Sequence, residues 1–205
     1  MTKKNNCATF ILTAVCGLFA FVPTVDAAGW RVIAEDPKFP TDDVIVAFCS
    51  VTDSQYKLPA DPSTSDCTPA IQQALDDASA AGGGTVFVPE GRYRLDGMLT
   101  IASNVILRGR WSLIGPDHPA DGTILMIHNR EHEQSVLLTG SGCGVRDLTF
   151  WHPEQQVTES VESASKSPLV IRGQAGVVTI ENIALINPYR GIDLSQASTL
   201  SLIHI

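Results

Sequence analysis

Between Thr68 and Ala81 the apolar residues Ile71, Ala74, Leu75 and Ala78 recur at three- and four-residue intervals, the spacing that places them on one face of a helix. Thr68 supplies an N-cap, and Pro69 suits the first helical position, where no amide donor is needed. Asp76 and Asp77 fall on the wet side, and Gly82-Gly83-Gly84 stops the helix by offering unrestricted backbone. The period then changes to two. Thr85-Val86-Phe87-Val88 and Arg92-Tyr93-Arg94-Leu95 read as brief strands around Pro89-Glu90-Gly91. The glycine triplet is not a phosphate cradle, because it follows the helix instead of preceding it. Upstream, residues 28–65 form an extended lead-in with one strand signal at Val44 to Phe48 and prolines at 37, 40, 59 and 62.

Past the helix the apolar pattern repeats. Val145-Arg146-Asp147-Leu148-Thr149-Phe150, Ile180-Glu181-Asn182-Ile183-Ala184-Leu185 and Leu200-Ser201-Leu202-Ile203-His204-Ile205 carry apolar residues at the first, fourth and sixth places. A second strand precedes each: Val136 to Gly140, Leu169 to Gly173 and Ile192 to Gln196. Ile180 to Leu200 spans 20 residues and Val145 to Ile180 spans 35, the excess of 15 matching the polar stretch 153–167. One unit is therefore two strands and a bend, about 20 residues long, with one inserted loop. Asp147 and Asn182 share a place in their units and read as bend residues tolerant of left-handed backbone.

Such a unit cannot bury its apolar side chains alone, so successive units must stack. The expected fold is an all-β solenoid, a right-handed single-stranded parallel β-helix over residues 66–205 with a short N-terminal capping α-helix. Ile71, Ala74, Leu75 and Ala78 would plug the open end of its first coil. The sequence stops inside an apolar strand, so the expectation is the N-terminal coils of a longer solenoid, truncated at the C-terminus.

Charge and the first residues set the compartment and narrow the partners. Lys3 and Lys4, an apolar run from Ala8 to Val22 and the small-residue stretch Val25-Asp26-Ala27 have the layout of a signal peptide over 1–27, cleaved near Ala27. That predicts a secreted, periplasmic or cell-surface protein with no membrane span after processing. Without residues 1–27 the chain holds 12 basic and 21 acidic side chains, a formal charge of −9, which disfavours nucleic acid. A polyanionic substrate would need a local basic cleft or a bridging divalent cation such as Ca2+. In an oxidising compartment Cys49 and Cys67 are candidates for a disulfide contributing roughly 3 kcal/mol, the alternative being buried free thiols. No metal site or cofactor is evident from ligand spacing.

The run Cys67-Thr68-Pro69-Ala70-Ile71-Gln72-Gln73-Ala74-Leu75, followed by Gly82-Gly83-Gly84-Thr85-Val86-Phe87-Val88-Pro89-Glu90-Gly91-Arg92-Tyr93, resembles the start of the pectate-lyase-like superfamily, the rhamnogalacturonase- and epimerase-like group also called glycoside-hydrolase-28-related. Asn104-Val105-Ile106-Leu107-Arg108-Gly109 and Trp151-His152-Pro153-Glu154-Gln155 extend the resemblance over roughly residues 42–205. It implies a parallel β-helix acting on an extracellular polysaccharide. The polygalacturonase branch is marked by Asn-Thr-Asp, Asp-Asp, His-Gly and Arg-x-Lys motifs, none of which occurs after residue 100, so no catalytic residue is transferred.

Two turns carry candidate sugar-binding chemistry. Trp151, His152 and Glu154 open the polar loop, where an aromatic ring could stack on a sugar; the plainer account packs Trp151 on the coil and leaves the acids solvated. Tyr189, Arg190 and Asp193 offer an aromatic, a cation and a carboxylate suited to a uronate; the plainer account is a surface Arg–Asp pair. His128 and His132 have the spacing of a helical metal pair, but the strand signal before Asn129 argues against a helix there. The expected function is a carbohydrate-active protein, polysaccharide lyase or glycoside hydrolase in full-length form, with this chain alone inactive. The competing readings are a non-catalytic glycan-binding or structural β-helix of adhesin or tailspike type, and a degraded reading frame.

Overall fold

The computed structural model describes residues 31–33, 45–112, 122–155, 168–174, 176–197 and 199–203, the first and last of these as backbone only. The expected signal peptide and loop residues 156–167 lie outside the described residues. Strands β1 (Arg31–Ile33), β2 (Ile45–Ala47) and β3 (Cys49–Ser50) precede helix α1 (Thr68–Ala80). Then follow β4 (Gly84–Phe87), β5 (Gly91–Leu95), β6 (Leu99–Ile101), β7 (Val105–Arg108), β8 (Thr123–Ile127), β9 (Gln134–Leu138) and β10 (Cys143–Trp151). The last are β11 (Leu169–Gly173), β12 (Val177–Ile186), β13 (Arg190–Asp193) and β14 (Thr199–Ile203). No helix among the described residues is long and apolar enough to cross a membrane.

Apart from the antiparallel pair β1–β2, every strand pairing is parallel. One path runs β3-β4-β7-β10-β12-β14, a second β6-β9-β11-β13. A third row, β5-β8, joins the far half of β10, because β10 pairs with β7 through Gly144–Arg146 and with β8 through Thr149–Trp151. The break falls at Asp147, whose φ is +59°; Asn182 breaks β12 at the matching place with φ +49°. Both bend residues therefore adopt the left-handed backbone that Asn and Asp tolerate best.

Like side chains stack over like. Val86, Leu107, Val145 and Ile180 form one fully buried column, and Tyr93, Leu125 and Phe150 another. Leu99, Val136 and Ile171 form a third beneath the half-buried Ile192. Strand side chains alternate in direction, so every second residue reaches this shared interior, each contributing about 1.5–3 kcal/mol of burial.

The register corrects the expected alignment by two residues. Leu202, not Leu200, lies over Ile180, and Ile171, not Leu169, lies over Val136. The closing unit is thus 22 residues instead of 20. In β11 a slip of two keeps each residue on its predicted face, because the strand period is two, and that is why the pattern alone could not detect it.

Helix α1 starts differently from expectation. Thr68 is its first residue and not the cap; Cys67 holds the cap position without a side-chain bond, and Asp66 Oδ1, just before it, accepts from the Thr68 amide (2.9 Å) and hydroxyl (2.6 Å). Burial opposes the charge on Asp66, but these bonds and the Asp96 amide outweigh it and hold its carboxyl below the usual range. Ile71, Ala74, Leu75 and Ala78 are buried as predicted, and Ala70 is buried with them. Gln72 turns back to strand β6: its Oε1 accepts from the Thr100 amide (2.8 Å) and its Nε2 donates to the Thr100 carbonyl (3.1 Å).

The lead-in is less irregular than its prolines suggest, since Cys49 and Ser50 pair with Val86 and Phe87 and supply the first strand of the long path. The candidate Cys49–Cys67 bridge is not formed. Cys49 Sγ donates to the Ala74 carbonyl, whereas Cys67 Sγ faces the Pro62 and Ser65 carbonyls, so the thiols serve opposite neighbours; Cys143 is also free.

Candidate functional site

Because β8 and β10 run side by side, the residues leaving their C-terminal ends are brought together. His128 follows Ile127, and His152 to Gln155 follow Trp151. Glu154 reaches back one rung, where His128 Nδ1 donates to its Oε1 (2.9 Å) and Arg130 Nε donates to its Oε2 (2.8 Å). The glutamate side chain remains 49% exposed. The His128 ring first, and Arg130 with it, hold the Glu154 carboxyl below the usual carboxylate range.

Asn129 shapes the base of this cluster. Its Oδ1 accepts from the Glu131 and His132 amides and its Nδ2 donates to the Gln134 carbonyl, so a turn stands where a helix would be needed to pair His128 with His132. Among the described residues no three His, Cys, Asp or Glu side chains converge as metal ligands.

His152 lies beneath, only 2% exposed, and neither ring nitrogen has a hydrogen-bond partner. Burial pushes its pKa down to about 4, so it is neutral near pH 7. Ile127, Asn129, Arg130, His152, Glu154 and Gln155 line one narrow cleft. Trp151 points elsewhere: the Arg92 guanidinium carbon stands 5.7 Å from its ring centroid, so one face of the indole already holds a cation.

The second predicted group remains separate. Tyr189 is 41% exposed and Arg190 is exposed at the start of β13. Asp193 Oδ1 accepts from the Ser195 amide (3.0 Å), and its other oxygen lies 3.9 Å from Arg172 Nη2. Arg172 also approaches Glu133 at 3.5 Å. The strand-to-strand pair Arg172–Asp193 therefore accompanies Asp193, where the sequence suggested Arg190. The two turns meet through the backbone side, Asn187 Nδ2 donating to the Gln155 carbonyl at 3.4 Å.

Arg130 and Arg172 escaped the sequence reading. A signal for Arg172 existed: it precedes Asp193 by 21 residues, the same interval that separates the stacked Ile171 and Ile192. Arg130 had none, because its partner lies 24 residues away across two turns.

Residues 48–122 match the family described as rhamnogalacturonase A/epimerase, pectate lyase-like. Over those residues the chain is similar to the pectate-lyase-like superfamily. Among similar proteins of Azotobacter vinelandii, mannuronan C5-epimerase AlgE3 is 56% identical over 52 residues, covering 22% of this chain and 3% of that protein. Alginate lyase 7 is 51% identical over 51 residues, 22% of this chain and 6% of that protein. Mannuronan C5-epimerase AlgE4 is 34% identical over 100 residues, 42% of this chain and 17% of that protein. The chain thus spans less than a fifth of the length of these curated relatives. The solved A-module of the A. vinelandii mannuronan C-5 epimerase AlgE6 superposes with a TM-score of 0.51 at 24% identity, covering 76% of this chain and 42% of that one, which shows a shared fold.

Proposed function

We propose that this chain is an exported, polysaccharide-modifying protein whose parallel rows are coils of a right-handed β-helix plugged by α1, and that its substrate is a uronate polymer of the alginate kind. The observation that carries this reading is the sequence identity with mannuronan C5-epimerases and an alginate lyase, highest over some 50 residues. The names of these relatives point to one shared chemical problem, a proton beside a uronate carboxylate: a lyase removes it and expels the neighbouring glycosidic oxygen, and a C5-epimerase returns it to the opposite face. Either reaction needs a base at that carbon and positive charge on the carboxylate to stabilise the anion that forms.

The described residues supply the second requirement better than the first. Arg130 on one turn, with Arg172 and Arg190 on neighbouring strands, are local cations on a chain of net charge −8, suited to receiving polyanion carboxylates, and the His128 ring adds a hydrogen-bond donor. His152, the neutral imidazole of the cluster, is buried away from a polymer lying on the surface. The reading therefore assigns this chain binding without turnover by itself.

Affinity electrophoresis tests it. Migration should be retarded in gels cast with polymannuronate and unchanged in gels cast with a neutral glucan, and incubation with polymannuronate should yield neither unsaturated ends nor guluronate signals by NMR. Equal retardation in both gels would refute the uronate assignment, and product formation would refute the lack of turnover.

A further inference from the structure

We propose that His128 and Arg130 form a carboxylate-recognition cradle that is occupied in the unliganded protein by the chain's own Glu154. The cradle is defined by geometry: an imidazole nitrogen at 2.9 Å and a guanidinium nitrogen at 2.8 Å grip opposite oxygens of one carboxylate. Charge-assisted bonds of this kind are what a sugar carboxylate requires from a protein. Glu154 is half exposed and sits three residues beyond the strand end, so it can swing out without disturbing the stack, whereas His128 and Arg130 flank the Asn129 turn.

A second observation points the same way. His152 lines the same cleft at 2% exposure with both ring nitrogens unpartnered, so the floor beneath the cradle holds a buried donor and acceptor without protein partners. An ordinary surface ion pair needs neither the convergence of two donors on opposite oxygens of one acid nor the unsatisfied imidazole in the same cleft.

The ligand class is a uronate, and that choice rests on the reading of the substrate given above. A uronate carboxylate would displace Glu154 and take its two bonds, so Glu154 competes with ligand and lowers apparent affinity by the fraction of time it occupies the site. The consequence is opposite in sign to a contact residue: removing the charge of Glu154 should tighten binding.

The test uses the full chain, its Glu154→Gln and Arg130→Ala variants, and two probes, free glucuronate and oligomannuronate, followed by NMR shifts of the histidine rings and by calorimetry. Glu154→Gln should bind each probe about tenfold more tightly than the parent, and Arg130→Ala about tenfold more weakly, with unchanged circular dichroism. A Glu154→Gln variant that binds both probes no better than the parent overturns the cradle. If the parent binds oligomannuronate while that variant changes nothing, the cradle fails and the polymer reading survives. If Glu154→Gln gains glucuronate binding but neither protein binds oligomannuronate, the cradle stands and the polymer reading fails.

Discussion

Asn182 Nδ2 donates to Asp147 Oδ1 at 2.9 Å, one rung directly above the other, with both residues in left-handed backbone. Asp147 Oδ2 simultaneously accepts from Arg108 Nε at 2.8 Å, with both side chains close to fully buried. One carboxylate thus ties three successive rungs together at the bend. Replacing Asn182 by Gly should lose the hydrogen bond alone, about 1 kcal/mol, whereas Ala should lose a further 1 kcal/mol or so to the left-handed conformation. Urea unfolding of the two variants separates the terms, and equal midpoints would contradict the assignment of strain to the bend.

Asp147→Ala should cost more, about 3–5 kcal/mol, since it removes the buried carboxylate that accepts from Arg108 Nε at 2.8 Å. Changing Arg108 and Asp147 together to Leu and Gly should recover part of that loss. A double variant no more stable than Asp147→Ala would show that the buried charge was not the cause.

The neutral His152 makes the fold sensitive to mild acid. Its ordinary pKa is near 6.5 and its folded value about 4, so between those limits the unfolded chain binds the proton and the folded chain does not. Stability should therefore fall as pH drops from about 6.5 to about 4 and level off below, by up to about 3 kcal/mol. The lowered carboxyls of Glu154 and Asp193 act in the same direction only at more acidic pH. Urea midpoints measured across this range should be flatter for His152→Leu; an unchanged slope would locate the acid sensitivity elsewhere.

Gln72 completes the hydrogen bonding of Thr100 on the outer strand of the β6-β9-β11-β13 row. Gln72→Ala should cost about 1–2 kcal/mol for the two bonds. It should also speed amide exchange at Thr100 without affecting Leu137, which pairs one strand further in. Exchange rates rising equally at both sites would mean that the whole row had loosened.

Cys49 and Cys67 should both be recovered as free thiols after alkylation in denaturant, and neither should react in the native state, where both are buried and burial pushes Cys67 up to about 11. A linked peptide in the mass spectrum would contradict the structure.

The helix and the parallel stack were legible in the sequence because both depend on local rules. Ile71, Ala74, Leu75 and Ala78 mark one helical face whatever they pack against, and the alternation in Val145–Phe150 and Ile180–Leu185 marks an inward face whatever lies above or below. Asp147 and Asn182 were legible as bends for the same reason, being the residue types that tolerate left-handed backbone at equivalent places. Tertiary structure alone decided the quantities that local rules leave degenerate. A two-residue slip in β11 preserves its inward face, so only strand pairing put Ile171 over Val136; the Asp66 carboxylate meets the first residue of α1 only through a turn that also meets Asp96. The meeting of His128, Arg130 and Glu154 likewise needed the stack, since their 24- and 26-residue separations carry no periodic signal until one coil is laid on the next.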